Sequence, residues 1–264
     1  MIQAYSRRNR AVIESGGNLV GYLLAGYPDR QSFFNAAKGC ELQGLTVLEV
    51  GYPSKRPVSD GEVIRRAHAL ADASVCYDIA FWQELRRTVK LPIWLMAYSG
   101  DLVAESFYRT LCEERLIDAL VIPDMDLSGR KQLLKEAARW EVDVLGFLTP
   151  ESGDGETADT LESFPVIYYT LYTGPTGMNN QAHSYAHILQ SAGAYSHKGI
   201  FAGFGIQTPQ QVTMLLDDGF AGAIIGTVMI RQLNRSTQEL YELVRSFTDK
   251  IQKGGQLRGA HSGV

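Results

Sequence analysis

Short runs of apolar residues alternate with longer amphipathic stretches along most of the chain. Eight of these runs have the length of a strand and are rich in Val, Ile, Leu and Tyr with little polar alternation. That pattern is typical of parallel strands with both faces buried. The predicted strands cover residues 18–25, 46–51, 92–98, 119–123, 142–148, 166–171, 199–203 and 221–226.

The stretches between the predicted strands show the periodicity of amphipathic helices. One helix start is well marked, because Thr208 is a suitable N-cap and Pro209 suits the first helical position. The predicted helices cover residues 30–43, 62–70, 79–90, 102–115, 130–140, 186–192, 209–218 and 235–252, and an extra helix lies around 4–13.

This alternation of strand and helix predicts an α/β protein, a single (β/α)8 TIM barrel with an extra N-terminal helix. Such barrels commonly occupy about 250 residues, and a single barrel domain spanning residues 1–264 fits that size. An open doubly wound sheet is the alternative, because a count of strands from one sequence can be off by one. The last residues, about 253–264, are rich in Gly, Ser and charge and are predicted to form a loose tail.

Composition narrows the possible partners. Hydrophobic residues make up 45% of the chain and the net charge is −4, which favours neither nucleic acid nor a membrane surface. No apolar run approaches the roughly 20 residues of a membrane span, and the N-terminus lacks the apolar core of a signal peptide. Cys40, Cys76 and Cys112 are widely spaced, which predicts reduced thiols of a cytoplasmic protein and no metal site.

Glycine-rich turns follow the last two predicted strands. Gly203-Phe204-Gly205-Ile206 leads to the helix start at Thr208, and Gly226-Thr227 follows the eighth strand. Glycine lets backbone N–H groups approach an anion, and a helix N-terminus adds its dipole. Glycine also makes ordinary tight turns, but two such turns at neighbouring strand ends predict the phosphate site that many barrels hold there. The segment Gly174-Pro175-Thr176-Gly177 is expected to close over it.

Two carboxylates flank the loop after the second strand. Glu49 lies within an apolar strand, where burial should raise its pKa toward neutrality, as a general acid/base requires. The alternative for Glu49 is a carboxylate paired with backbone donors or a basic group, and Asp60 could simply be a helix N-cap. Because both residues flank one loop at one barrel end, we predict that they face one cavity and divide acid/base and electrostatic roles.

These residues resemble the tryptophan synthase α chain family, the indole-3-glycerol-phosphate lyases. The family's glutamate-ending strand with Gly-x-Pro is matched by Leu48-Glu49-Val50-Gly51-Tyr52-Pro53. Its Ala/Ser-Asp-Gly-Pro-x-Ile is matched by Ser59-Asp60-Gly61-Glu62-Val63-Ile64, except that Glu62 replaces the proline. Further blocks follow in the family's order and spacing: Gly21-Tyr22-Leu23-Leu24-Ala25-Gly26-Tyr27-Pro28-Asp29, Leu95-Met96-Ala97-Tyr98, Ile122-Pro123-Asp124, Thr176-Gly177, Gly203-Phe204-Gly205-Ile206 and Ile225-Gly226-Thr227.

The resemblance implies a division of roles in cleaving indole-3-glycerol phosphate to indole and glyceraldehyde 3-phosphate. Glu49 protonates indole C3 and takes the proton of the glycerol hydroxyl, while Asp60 holds the indole N–H and stabilises the indolenine cation. No cofactor is implied for this chain. The residues implied in substrate binding are Tyr22, Met96, Ile122, Asp124, Tyr168, Thr176 and Phe204, and those implied in phosphate binding are Gly177, Gly205, Gly226 and Thr227.

The chain departs from the family in the loop after Gly-x-Pro. The family's usual Phe-Ser-Asp-Pro, in a loop that carries signals to the β subunit, is here Ser54-Lys55-Arg56-Pro57. A tryptophan synthase β chain is a possible partner, and the change of charge in this loop leaves that partnership open. Two alternatives also stay open: a paralogue that performs lyase or aldolase chemistry on another phosphorylated substrate, and a non-catalytic regulatory subunit that binds a phosphorylated ligand.

Other chemistries have weaker support in the sequence. A Schiff-base aldolase needs a lysine at a strand end, and only Lys55 falls near the predicted mouth. His183 and His187 have helical spacing but lie on a polar stretch, which favours surface residues over metal ligands. Gly203-x-Gly205 lacks the third glycine of a dinucleotide-binding turn.

Overall fold

Nine short parallel strands form the centre of the molecule. The computed structural model describes residues 3–174, 185–195 and 199–261, with side chains to residue 255. In the order of pairing the strands run β5-β4-β3-β2-β1-β9-β8-β7-β6. Their bounds are β1 Asn18–Leu24, β2 Val47–Gly51, β3 Ile93–Met96, β4 Ala119–Val121, β5 Asp143–Val144, β6 Gly146–Leu148, β7 Ile167–Thr170, β8 Ile200–Gly203 and β9 Gly222–Ile225.

The sheet closes into a barrel through the segment that contains β5 and β6. The N–H of Leu145 donates to the carbonyl of Leu120 at 2.9 Å, and the next N–H, that of Gly146, donates to Val166 at 2.9 Å. One predicted strand therefore pairs with β4 through its first half and with β7 through its second. If β5 and β6 are counted as one strand, the barrel has the eight predicted strands, and the open doubly wound sheet is excluded.

Helices surround the barrel, and two of them have the predicted bounds, α3 and α9. The helices are α1 Arg7–Ser15, α2 Arg30–Leu42, α3 Glu62–Leu70, α4 Ile79–Thr88, α5 Phe107–Glu113, α6 Leu127–Ala137, α7 Asp154–Ser163, α8 Ala186–Ala194, α9 Pro209–Asp218, α10 Thr227–Leu233 and α11 Thr237–His261. No helix in the described ranges is long and apolar enough to cross a membrane.

Two helices escaped the sequence prediction because neither has a clear apolar stripe. Helix α7 is polar and buries only Thr157, Thr160 and Leu161, and α10 has 7 residues, too few to show a period. The region predicted as one helix from 102 to 115 is instead a π-helical turn, Ser99–Val103, followed by α5. Helix α11 runs to His261, so the backbone is helical where a loose tail was predicted; adding turns to an established helix is less costly than starting one.

Strand side chains alternate between the barrel interior and the helical layer. On β4, Ala119 and Val121 face the interior cluster, whereas Leu120 packs with the helices. The interior is filled by large rings, including Trp94 and Phe201, whose centroids lie 4.9 Å apart edge to face. This alternation decides which side chains reach the open end of the barrel.

Candidate active site

A pocket opens at the carboxyl ends of the strands, where barrel enzymes carry their active sites. About 700 Å³ of empty space lies within it, including the open solvent at its mouth. Nine of the predicted site residues contribute to its walls: Tyr22, Glu49, Asp60, Met96, Tyr168, Phe204, Gly205, Gly226 and Thr227.

Glu49 lies on β2, between Tyr22 of β1 and Trp94 of β3 in the strand register. Its side chain points into the barrel and is only 3% exposed. Burial, and next the negative charge of Asp60, raise the pKa of Glu49 to about 8. The carboxyl group is therefore largely protonated at neutral pH and can donate a proton.

Asp60 ends the loop after β2 and is also buried. The N-cap of α3 is Gly61, so Asp60 does not cap that helix and its carboxylate is available to the pocket. Its Oδ2 accepts a hydrogen bond from the Tyr98 hydroxyl at 2.7 Å, and that hydroxyl accepts one from the Ser59 N–H at 3.1 Å. The loop and β3 thus hold Asp60 in place.

Aromatic rings form the walls beside the carboxylates. Tyr168 stacks on Phe147 with ring centroids 5.1 Å apart and meets Phe204 edge to face at 6.1 Å. Burial, followed by the charges of the two carboxylates, raises the pKa of both Tyr22 and Tyr168 well above the ordinary value. Both phenols therefore stay neutral, and the slot suits a flat aromatic ligand with one polar edge.

The glycine turns after β8 and β9 also line the pocket. Gly205 adopts φ +75°, a left-handed conformation that favours glycine. Helix α9 caps itself, because the Thr208 and Gln211 side chains satisfy its first N–H groups. Gly226 is the N-cap of α10 and has no side chain, so no N-cap side chain accepts from the first N–H groups of this helix. Arg231 of α10 also lines the pocket and adds a positive charge to its wall.

The other predicted site residues do not contribute to the described pocket walls. Ile122 is buried among the helices, because it is one residue from Val121 and strand side chains alternate. Asp124 is exposed and accepts hydrogen bonds from the N–H and hydroxyl of Ser99, at 2.9 and 2.8 Å. Thr176, Gly177 and His183 lie outside the described residues.

Several residues that line the pocket or contact Asp60 were not predicted as part of the site. Phe147 and Arg231 line the pocket, and Tyr98 and His68 contact Asp60 from behind. Tyr98 ends an apolar strand, which was a usable signal. No pattern in the sequence indicated the contact of His68 with Asp60, because it depends on how α3 packs against the loop.

Comparisons with known proteins agree with the resemblance seen in the sequence. A family model described as tryptophan synthase alpha chain matches residues 9–256. The chain is 28% identical over 246 residues to the alpha chain of Alkaliphilus metalliredigens, covering 88% of this chain and 90% of that one. It is 30% identical over 238 residues to that of Synechococcus elongatus, covering 87% and 90%.

Solved structures of tryptophan synthases share the fold. A chain of the Mycobacterium tuberculosis enzyme superimposes with a TM-score of 0.82 at 22% identity, covering 93% of this chain and 98% of that one. A chain of the α2β2 complex from Pyrococcus furiosus superimposes with a TM-score of 0.74 at 21% identity, covering 89% and 98%.

Proposed function

The chain belongs to the tryptophan synthase alpha chain family, and from this we propose that it is a lyase that cleaves indole-3-glycerol phosphate to indole and glyceraldehyde 3-phosphate. The observation that supports this most directly is the pair of buried carboxylates, Glu49 and Asp60, facing one aromatic pocket. Their surroundings differ, so the two groups can take different roles in one reaction.

The first step is a proton transfer from Glu49. Its pKa of about 8 keeps the carboxyl group protonated at neutral pH, ready to donate to C3 of the indole ring. Protonation makes C3 tetrahedral and leaves a positive charge on the ring nitrogen. The bond from C3 to the glycerol chain can then break, because its electron pair has an acceptor in the indolenine cation.

Asp60 stabilises the cation that this step creates. Its carboxylate accepts the N–H of the ring and places a negative charge beside the developing positive one. The hydrogen bond from Tyr98 keeps the carboxylate oriented. A preorganised charge in a pocket with little water acts more strongly than it would in bulk water.

Glu49 completes the cycle as a base. Once it has given up its proton, its carboxylate removes the proton of the hydroxyl on the carbon attached to C3. The O–H electrons form the aldehyde carbonyl, the carbon–carbon bond breaks, and its electrons return to the indole ring. Glu49 ends protonated, so the reaction consumes no proton overall.

The lining of the pocket suits both the indole ring and the phosphate of this substrate. Tyr22, Met96, Tyr168 and Phe204 would hold the indole, as the resemblance implied, and Phe147 adds to the same wall. Gly205, Gly226 and Thr227 would bind the phosphate through backbone N–H groups, together with Gly177 from the segment outside the described residues. Arg231 would provide a counter-charge.

The test is indole release from indole-3-glycerol phosphate by the purified chain alone. Glu49→Gln should lower kcat by about 10²- to 10⁴-fold, the usual contribution of a positioned acid/base, while substrate affinity measured by calorimetry stays within a few-fold. Glu151→Gln is the matched control, because Glu151 is an exposed carboxylate at the same end of the barrel.

Either of two results would contradict the proposal. If wild type releases no indole but binds glycerol 3-phosphate, a lyase or aldolase acting on another phosphorylated substrate becomes the better account. If wild type binds no phosphate ester at all, both functions are wrong.

We also propose a tryptophan synthase β chain as the partner, since the structural relative from Pyrococcus furiosus belongs to an α2β2 complex. Lys55, Arg56 and Val58 are exposed on the loop that leads to Asp60, so a bound partner could act on the carboxylate through that loop. Co-elution with a β chain and a faster indole release would support this. A β chain that neither co-elutes nor changes the rate would contradict it.

A further inference from the structure

His68 contacts both ends of the loop that connects β2 to Asp60. It lies on α3 with its side chain 2% exposed. Its Nδ1 accepts a hydrogen bond from the Ser54 N–H at 3.0 Å, at the start of the loop. Its Nε2 lies 3.6 Å from Oδ2 of Asp60, at the end of the loop.

The bond from Ser54 decides which ring nitrogen carries the proton. A backbone N–H can only donate, so Nδ1 must be the unprotonated nitrogen of the ring. A neutral imidazole with a bare Nδ1 carries its hydrogen on Nε2. The N–H of His68 is therefore directed at the Asp60 carboxylate rather than at the helix.

Asp60 has room to receive this hydrogen. Its Oδ2 is bound by Tyr98, but its Oδ1 and Nε2 of His68 are buried without a hydrogen bond to any residue in the described ranges. At 3.6 Å the His68–Asp60 contact is too long for a hydrogen bond. An approach of about 0.7 Å would make one of ordinary length, and catalytic hydrogen bonds commonly tighten when substrate binds.

We propose that His68 is a positioning residue for Asp60, delivering a fixed Nε2–H to its carboxylate and so holding the charge in place during the reaction. The inference rests on the proposed function, in which Asp60 stabilises the ring cation. Because Ser54 sets the tautomer, the loop and the carboxylate are joined through one imidazole ring.

Two conservative substitutions separate this role from simple packing. In His68→Gln the side-chain amide can place an N–H where Nε2 was, but it loses the acceptor for Ser54. In His68→Asn the amide can accept from Ser54, but it is too short to reach Asp60. The control is His187→Gln, since His187 is exposed on α8, away from the pocket.

We expect His68→Gln to keep kcat for indole release within about three-fold of wild type. His68→Asn should lose about 10- to 100-fold in kcat, the effect of removing a hydrogen bond to a charged group, with KM nearly unchanged. The opposite order, with Asn active and Gln inactive, would show that His68 serves only to anchor the loop. Equal losses in both variants, or a change in KM alone, would likewise overturn the proposal.

A second measurement does not depend on the substrate. In a ¹⁵N NMR spectrum of the labelled protein, the His68 signals, identified by their loss in His68→Asn, should be those of a neutral ring with a bare Nδ1 and a protonated Nε2. An Nδ1–H tautomer or a doubly protonated ring would overturn the proposal even if wild type proved inactive on indole-3-glycerol phosphate. Failure of the proposed function and failure of this inference are thus distinguishable.

Discussion

At the scale of single residues, one buried carboxyl group sets how the site responds to pH. Placing Glu49 in an apolar strand lowers the stability of the folded protein, because burial disfavours the charged form of its carboxyl group. The same burial provides a proton donor near neutral pH. In the proposed reaction, the property of Glu49 that lowers stability is therefore also the one that allows proton transfer.

The pKa of Glu49 predicts the pH profile of the enzyme. In the proposed mechanism the active form has Glu49 protonated, so kcat/KM for indole release should fall about tenfold per unit as pH rises above about 8. The residual rate of Glu49→Gln should lack this decline, because glutamine does not titrate. A profile that instead rises through the ordinary range of a carboxyl group and stays level past pH 8 would mean that Glu49 rests as a carboxylate.

The same pKa predicts a pH-dependent stability difference. Folding raises the pKa of Glu49 from 4.5 to about 8, so between these values the folded state binds more protons than the unfolded state. The free energy of unfolding of wild type should therefore fall as pH rises through this window. Relative to wild type, Glu49→Gln should gain on the order of 3 kcal/mol between pH 5 and pH 8. Urea unfolding at several pH values checks this, and a constant difference would contradict it.

At the scale of strands, small residues make room for the large rings of the pocket. Tyr22 lies opposite Glu49 in the register of β1 and β2, and Gly51 lies two residues further along β2. A Cβ at position 51 would overlap the hydroxyl and ring of Tyr22. The aromatic wall of the site therefore depends on a glycine that never touches a ligand itself.

Gly51→Ala tests this packing. We expect it to lower the free energy of unfolding by about 1–3 kcal/mol, as overpacking does, and to reduce indole release by displacing Tyr22. Gly100→Ala is the matched control, since nothing lies within 4 Å of its added Cβ, and it should stay within about 0.5 kcal/mol of wild type. If Gly51→Ala equals Gly100→Ala in stability and rate, the contact does not constrain Tyr22.

At the scale of the whole molecule, α1 closes the end of the barrel opposite the pocket. Asn9 of α1 donates to Oδ2 of Asp143 at 2.8 Å and to the carbonyl of Asp118 at 3.0 Å. Its Oδ1 accepts from Nε1 of Trp94 at 2.8 Å, inside the barrel. One buried amide thus joins the first helix to the starts of three strands.

Asn9→Ala should destabilise the whole barrel. It leaves the Trp94 N–H buried without a partner and removes one of the two hydrogen bonds to Oδ2 of Asp143, which keeps that of the Ser6 N–H, at a cost of about 2–4 kcal/mol. The lowered midpoint of urea unfolding measures this. Asn35→Ala, at an exposed position of α2, should change stability by less than about 0.5 kcal/mol. Equal midpoints for the two variants would show that the network contributes little.

Local patterns in the sequence were enough to predict the strands and the candidate catalytic glutamate. Buried parallel strands are apolar along their whole length, and a glutamate among such residues stands out, so Glu49 and the eight strands could be predicted locally. Asp60 and the glycine turns were predicted from their places after the strands, the family blocks added their roles, and the structure places these residues around one pocket. Helices α7 and α10 stayed hidden because one is polar and the other too short to show a period.

Which side chains meet in the site could be seen only in the folded protein. Val121 rather than Ile122 faces the pocket, because a shift of one residue along a strand reverses the side chain's direction. The barrel closes at Leu145 and Gly146, because one pairs with β4 and the next with β7, and these two strands are distant in sequence. His68 reaches Asp60 only through the packing of α3 on its loop. Periodicity is a property of a few adjacent residues, whereas these contacts depend on the path of the whole chain.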